Sequence, residues 1–85
     1  MNPTQPHDYT ADKLPLQVKA HISHIQPGGL SVKLLQMGCL PGKEIELVRK
    51  SLFGNPLYMR VGNQFLALRT EEAAQIILQP AQTQL

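Results

Sequence analysis

The side chains best suited to metal binding or catalysis are three histidines and one cysteine. His21 and His24 lie three positions apart in a strand-like alternating stretch, which predicts that they point to opposite faces of the sheet. His7 lies in a polar N-terminal stretch. Cys39 is the single cysteine, so no intrachain disulfide is possible, which fits a reducing compartment. Because no Cys/His cluster has zinc spacing, we expect Cys39 to be a buried thiol that packs as a small hydrophobe.

The acidic pair Glu71 and Glu72 could in principle ligate a metal ion through its carboxylates. The pair follows Thr70, which can cap a short helical turn, and the helix dipole favours acids in a first turn. The helical role is therefore the expected one. Pro27-Gly28-Gly29 lacks the Lys-Ser/Thr that completes a phosphate-binding loop, and no nucleophile has a recognisable base. The sequence thus predicts a non-enzymatic protein with no cofactor, no metal site and no nucleotide site.

Composition limits the class of protein. The chain has 85 residues, 42% of them hydrophobic and 16% charged, with a net charge of +2. This length allows one domain with a modest core. The longest basic run is Arg49-Lys50, so the charge does not indicate a nucleic-acid-binding face. The apolar runs are far shorter than a bilayer span and the N-terminus has no secretory signal, so we expect no direct membrane insertion.

The two ends of the chain differ in composition from its middle. Residues 1–13 contain two prolines and polar residues without apolar periodicity, which predicts a flexible N-terminal tail. Residues 81–85 are expected to form a flexible C-terminal tail. The folded domain is then predicted to span residues 14–80.

Period-2 alternation predicts five strands in this domain. They begin, in chain order, at Leu16, Lys43, Leu57, Gln64 and Ile76. The turn signals between them are Gln26-Pro27-Gly28-Gly29, Pro41-Gly42, Gly54-Asn55-Pro56 and Gly62-Asn63. A short helix over Leu30–Met37 follows the first strand, and a helical turn over Glu71–Ala74 precedes the last. The pattern predicts a mainly all-β fold that curls into a small barrel, since closure removes exposed strand edges.

The apolar residues on one side of each predicted element form the expected core. They are Val18, Ala20, Ile22, Leu30, Leu34, Ile45, Leu47, Leu57, Met59, Val61, Leu66, Leu68 and Ile76.

Three motifs in order resemble the FeoA family. Residues 34–42, LLQMGCLPG, resemble its helix ending in L-L-x-M-G followed by an apolar residue and P-G. Gly54-Asn55-Pro56 resembles its G-[DN]-P segment, and Leu66-Ala67-Leu68-Arg69 with Glu72-Ala73 and Ile76 resembles its L-A-L-R…E-A…I ending. The likeness covers about residues 14–79. Two positions depart from it: Val32 precedes Lys33 where arginines are common, and Asn63 replaces a glycine.

The resemblance implies an SH3-like barrel that acts as a cytoplasmic accessory or regulatory protein of bacterial ferrous-iron uptake. It also implies a partner, the membrane Fe(II) transporter FeoB, contacted through its cytoplasmic GTP-binding region. Such a partner could recruit the protein to the inner face of the membrane.

The surface that could bind this partner combines apolar and basic residues. Leu35 is the helix residue least compatible with the buried stripe of the helix. That stripe is set by Leu30, Leu34 and Met37. Leu52 and Phe53 stand where a strand turns towards solvent. We therefore expect an apolar patch of these exposed residues with a basic rim, the common anatomy of an interface. Its members are Leu35, Leu52 and Phe53, with Lys33 and Lys50 as the rim.

Other interpretations remain open at this point. The apolar residues of the patch could instead close an open end of the barrel. The chain could be an SH3-like nucleic-acid- or ribosome-associated module, although it has few aromatic residues for stacking on bases. It could also be a self-assembling interaction domain that forms a homo-oligomer.

Overall fold

A computed structural model describes residues 9–80 of the chain. The predicted tail 81–85 and residues 1–8 of the predicted N-terminal tail lie outside the described residues. The elements, in chain order, are a 3₁₀ helix Ala11–Lys13, β1 Lys19–Ile25, α1 Ser31–Gln36, β2 Glu44–Lys50, β3 Leu57–Val61, β4 Gln64–Leu68, α2 Thr70–Ala73 and β5 Ile76–Leu78. The five strands form one antiparallel sheet in the order β4-β3-β2-β1-β5. The predicted mainly-β architecture with two short helices is confirmed.

The segment Tyr9–Lys13, predicted to be flexible, packs against the rest of the domain. The carbonyl oxygen of Tyr9 accepts a hydrogen bond from the backbone N–H of Leu78 at 2.8 Å, and Thr10 bridges Ile77. Ala11 is completely buried in the core. The predicted domain start at residue 14 is therefore too late, because these residues cover β5 on the side that β1 leaves open.

The first strand begins three residues later than predicted. Gln17 has a left-handed backbone with φ of 62°, which breaks the alternation that starts at Leu16. Its N–H donates to the carbonyl of Leu47 at 2.8 Å, so this segment runs beside β2 instead of continuing β1. Val18 is consequently 41% exposed, and its assignment to the core is wrong.

The other predicted core residues lie inside, with Leu30 and Leu66 packed at its margin and only partly buried. The core also includes residues that the sequence pattern did not select: Ala11, Leu14, Ala73, Ile77 and Leu78. All three residues of β5 are buried. The N-terminal segment covers β5, so its side chains do not alternate between core and solvent.

Two β-bulges bend the sheet. The first lies between Ile22 and His24 in β1 and shifts the alternation by one residue. His21 and His24 are both exposed as a result, so the prediction of opposite faces is wrong. The second lies between Leu47 and Arg49 in β2, beyond the Glu44–Glu46 stretch that pairs with β1. The far half of β2 therefore leaves the core and pairs with β3 alone among the described strands.

Candidate partner-binding surface

Helix α1 divides its leucines between the core and the surface. Leu34 is completely buried, whereas its neighbour Leu35 is 41% exposed, as expected for residues about 100° apart on a helix. Gly38, with φ of 98°, ends the helix in the left-handed conformation that favours glycine. Val32 is also exposed and lies three positions before Leu35, on nearly the same face of the helix. The exposed apolar area on α1 is thus larger than the sequence analysis predicted.

Lys33, the predicted rim residue on α1, makes an ion pair with Glu72 of α2. The second carboxylate oxygen of Glu72 accepts a hydrogen bond from the backbone N–H of Arg69 at 2.9 Å. The Lys33 ammonium, followed by the Arg69 N–H, lowers the pKa of the Glu72 carboxyl below its ordinary value. Glu72 is therefore a buried carboxylate with two hydrogen-bond partners, and it joins α1 to α2. The positive charge of Lys33 is partly neutralised by this carboxylate.

The cap of α2 differs from the prediction. The residue that precedes the helix is Arg69, and Thr70 is the first helical residue. Glu72 caps the helix by bonding back to the Arg69 N–H, which is one half of a capping box. The expected role of Glu72 as a first-turn acid is confirmed in its position, but its burial and its bond to Lys33 were not predicted.

The Gly54-Asn55-Pro56 loop is bonded to the start of α2. The side-chain oxygen of Asn55 accepts hydrogen bonds from both the N–H and the hydroxyl of Thr70, each at 2.8 Å. The Thr70 hydroxyl also reaches the Gly54 carbonyl oxygen at 3.3 Å. Thr70 therefore fixes the β2–β3 loop rather than capping its own helix, which gives a physical reason for the asparagine of the Gly54-Asn55-Pro56 motif.

The tip of this loop carries the two most exposed large apolar side chains in the described part of the chain. Leu52 is 90% exposed and Phe53 is 91% exposed. The Gly54 N–H donates to the Ser51 carbonyl at 2.9 Å, closing a turn around these two residues. Gly54 has φ of 87°, a conformation that glycine adopts without steric cost. The idea that Leu52 and Phe53 form a lid on the barrel is wrong, because neither is packed.

A cleft of about 330 Å³ lies between α1, the β2–β3 loop and the end of β4. Its lining residues are Lys33, Asn55, Pro56, Ala67, Arg69 and Glu72. Lys33 lines this cleft together with two residues of the loop that carries Leu52 and Phe53, so the fold brings Lys33 to the same side of the molecule as that loop. The ion pair between Lys33 and Glu72 joins residues that are 39 positions apart in the chain. Leu35, Leu52, Phe53 and Lys50 do not line the cleft. Lys50 ends β2 and is exposed.

The outer face of the β2-β3-β4 sheet carries a second, more apolar cleft of about 350 Å³. The guanidinium of Arg49 stacks over the ring of Tyr58, 4.3 Å from its centroid. Phe65 on β4 is 73% exposed beside them. Phe65 was not among the predicted site residues, although the alternation of β4 places it on the face opposite the buried Leu68.

The side chains that could do chemistry are not gathered into one site. Among residues 9–80, no group of three or more His, Cys, Asp or Glu residues could hold a metal ion. Cys39 is completely buried, as predicted, and burial, with a smaller effect of Glu72, raises the pKa of its thiol to about 11. In the same described region, no helix has the length and hydrophobicity needed to cross a membrane.

Comparison with known proteins identifies the family. A family model described as the FeoA domain matches residues 10–80. FeoA of Stenotrophomonas maltophilia, crystallised with zinc and described as a prokaryotic SH3 domain protein, is 29% identical, with a TM-score of 0.74 over 82% of this chain and 88% of that chain. Iron(II) transport protein A of Clostridium thermocellum is 36% identical, with a TM-score of 0.75 over 81% of this chain and 43% of that chain.

A third structure supports the fold. The FeoA-like protein of Clostridium acetobutylicum has a TM-score of 0.79 over 91% of this chain and 92% of that chain, at 24% identity. No curated protein sequence matches the chain significantly. The predicted SH3-like barrel and the resemblance seen in the sequence are both confirmed. The chain belongs to the FeoA family, which is associated with ferrous iron transport.

Proposed function

We propose that this protein is a cytoplasmic accessory or regulatory subunit of ferrous-iron uptake that binds an FeoB-like transporter through its GTP-binding region. It acts by binding rather than by catalysis, with no cofactor of its own. Its family membership supports this role, as does the similar Stenotrophomonas protein, which is described as a candidate activating factor of ferrous iron transport. Binding to one conformation of the GTPase or of the pore would shift the equilibrium between conformations.

The observation that carries this proposal is the exposure of large apolar side chains on α1 and on the β2–β3 loop. Leu35 on α1 and Leu52 and Phe53 on the loop all expose large apolar side chains. Covering such side chains is favourable by about 1.5–3 kcal/mol each when burial is complete. Lys33 and Lys50 flank these residues in the chain and complete the proposed docking surface.

The test is capture of the detergent-solubilised cognate transporter by the purified protein, with and without a GTP analogue. We expect the wild-type protein to retain the transporter and the Leu35→Glu variant to lose it, with an unchanged circular dichroism spectrum and melt. Val18→Glu is the matched control, because Val18 is equally exposed but precedes β1. Equal capture by wild type and Leu35→Glu would place the interface elsewhere, and no capture by wild type would contradict the proposal.

A nucleic-acid-binding role is the second candidate. The Arg49–Tyr58 stack and the exposed ring of Phe65 share one sheet face, as base-stacking platforms do. A salt titration of RNA binding separates the two roles. Tight RNA binding that weakens steeply with salt and is lost in Phe65→Ala would favour this alternative.

A further inference from the structure

The tip of the β2–β3 loop presents a leucine and a phenylalanine together on a fixed turn. Leu52 and Phe53 occupy the two central positions of the turn that the Gly54-to-Ser51 hydrogen bond closes. The base of the loop is held by the Asn55–Thr70 bonds and by a hydrogen bond from Ser51 N–H to the Pro56 carbonyl oxygen at 3.2 Å. The two side chains therefore project without the entropy cost of ordering the loop on binding.

The charged residues in the stretch of chain that contains this tip are basic. Residues 47–70 include no Asp or Glu, whereas they include four basic residues: Arg49, Lys50, Arg60 and Arg69. Arg60 is held by Glu44 at 2.8 Å and Glu46 at 3.0 Å. Arg49, Lys50 and Arg69 form no salt bridge with any carboxylate in residues 9–80. Arg49 and Lys50, which directly precede the tip in the chain, thus carry positive charge that no described carboxylate pairs with, while the exposed Glu71 follows Thr70 at the base of the loop.

We propose that Leu52 and Phe53 insert into the interface of an anionic phospholipid membrane, with Arg49 and Lys50 contacting the headgroups. A lipid interface accepts two projecting apolar side chains without a preformed pocket, and anionic leaflets attract basic residues near their surface. The inference rests on the proposed function in placing the chain beside a membrane transporter. Within the proposed docking surface, it assigns the loop tip to lipid and leaves Leu35 and Lys33 to the protein partner.

This assignment revises the expectation that the chain makes no direct membrane insertion. That expectation followed from the shortness of every apolar run in the sequence. Peripheral contact needs no long apolar run, because apolar burial at Leu52 and Phe53 and the attraction of basic residues to anionic lipid add together.

The test is co-sedimentation of the purified full chain with vesicles that contain no protein. Vesicles of phosphatidylcholine with phosphatidylglycerol are compared with vesicles of phosphatidylcholine alone. We expect binding to the anionic vesicles that weakens as salt is added. Phe53→Ser should reduce partitioning by about tenfold or more, and Lys50→Gln by about fivefold on anionic vesicles only.

The matched control is Phe65→Ser, which removes another strongly exposed phenylalanine, one that pairs with Arg60 in the β3–β4 ladder and lies outside the loop. It should leave vesicle binding unchanged. The proposal is overturned if the wild-type chain stays in solution with anionic vesicles, if phosphatidylglycerol makes no difference, or if Phe53→Ser and Phe65→Ser act equally. Vesicle binding without transporter capture would support this inference while contradicting the proposed function.

Discussion

Lys33 on α1 donates a hydrogen bond to Glu72 on α2, whose other carboxylate oxygen accepts from the Arg69 backbone. The carboxylate of Glu72 therefore connects the two short helices. The Glu72 side chain is 6% exposed and that of Lys33 is 57% exposed, so removing Lys33 would leave a buried carboxylate with one partner fewer, whereas removing Glu72 loses a charge-assisted hydrogen bond and leaves a solvated ammonium.

We predict that Glu72→Gln lowers the free energy of unfolding by about 1–3 kcal/mol at neutral pH. The pKa of Glu72 is lowered in the folded state, so its stabilisation is present above its ordinary pKa of 4.5 and is lost as pH falls through the folded value. The variant should therefore lose less stability than wild type on acidification. Glu71→Gln, an exposed neighbour, is the control, and denaturant titrations across pH provide the measurement. If the free energy of unfolding falls equally on acidification in all three proteins, Glu72 does not contribute the pH-dependent stability assigned to it.

Asn55→Ala should destabilise the protein by about 1–2 kcal/mol, because it removes the acceptor for both Thr70 donors. Asn55→Asp keeps an oxygen in that place and should retain most of the stability. Thermal melts of the two variants give the comparison. If alanine and aspartate behave alike, the loop is not held by this side chain.

The buried thiol of Cys39 predicts a loss of stability at alkaline pH. Its pKa is raised from 9.0 to about 11, so the folded state keeps the proton while the unfolded state releases it. The contribution is complete below pH 9 and declines as pH rises towards 11, by about 2–3 kcal/mol in total. Cys39→Ala should show a shallower decline over this range in urea titrations. Rapid labelling of Cys39 by a thiol reagent in the native wild type would show that the thiol is accessible.

Leu47 and Val18 were both expected in the core, but only Leu47 is buried there. Leu47→Ala should cost about 2–5 kcal/mol. Val18→Ala should cost less than about 1 kcal/mol, as for exposed positions generally. Chemical denaturation of the two alanine variants measures the difference in their free energies of unfolding. A loss below about 1 kcal/mol for Leu47→Ala would mean that the alternation of β2 does not place Leu47 in the core.

Ala11 tests whether the N-terminal segment belongs to the domain. Ala11→Asp places a charge at a completely buried position and should destabilise by about 3 kcal/mol or more. Lys13→Asp, at an exposed position two residues away, should have a small effect. If both variants melt at the wild-type temperature, residues 9–13 contribute no packing in solution.

The sequence alone determined the features that depend on neighbouring residues. Alternation over Leu57–Val61 and the Gly62-Asn63 turn predicted the β3–β4 hairpin. Of the two turn residues expected to suit positive φ, only Gly62 adopts it, with φ of 59°. The angle between Leu34 and Leu35 predicted which leucine is exposed. The three ordered motifs predicted the family. Each of these signals lies within one element or one turn.

Only the tertiary structure decided which distant segments meet. Tyr9–Lys13 is ordered because it pairs with β5, some 67 positions further along the chain at Thr10 and Ile77. The bulge in β1 and the left-handed Gln17 move side chains to faces that strict alternation does not predict. The contacts of Lys33 with Glu72 and of Asn55 with Thr70 join residues that are distant in the chain and that the curled sheet brings together. Periodicity predicts which face of a single strand or helix is buried, but it does not predict which distant segment packs against that face. These contacts depend on how the closed sheet satisfies buried polar groups and covers its remaining edge.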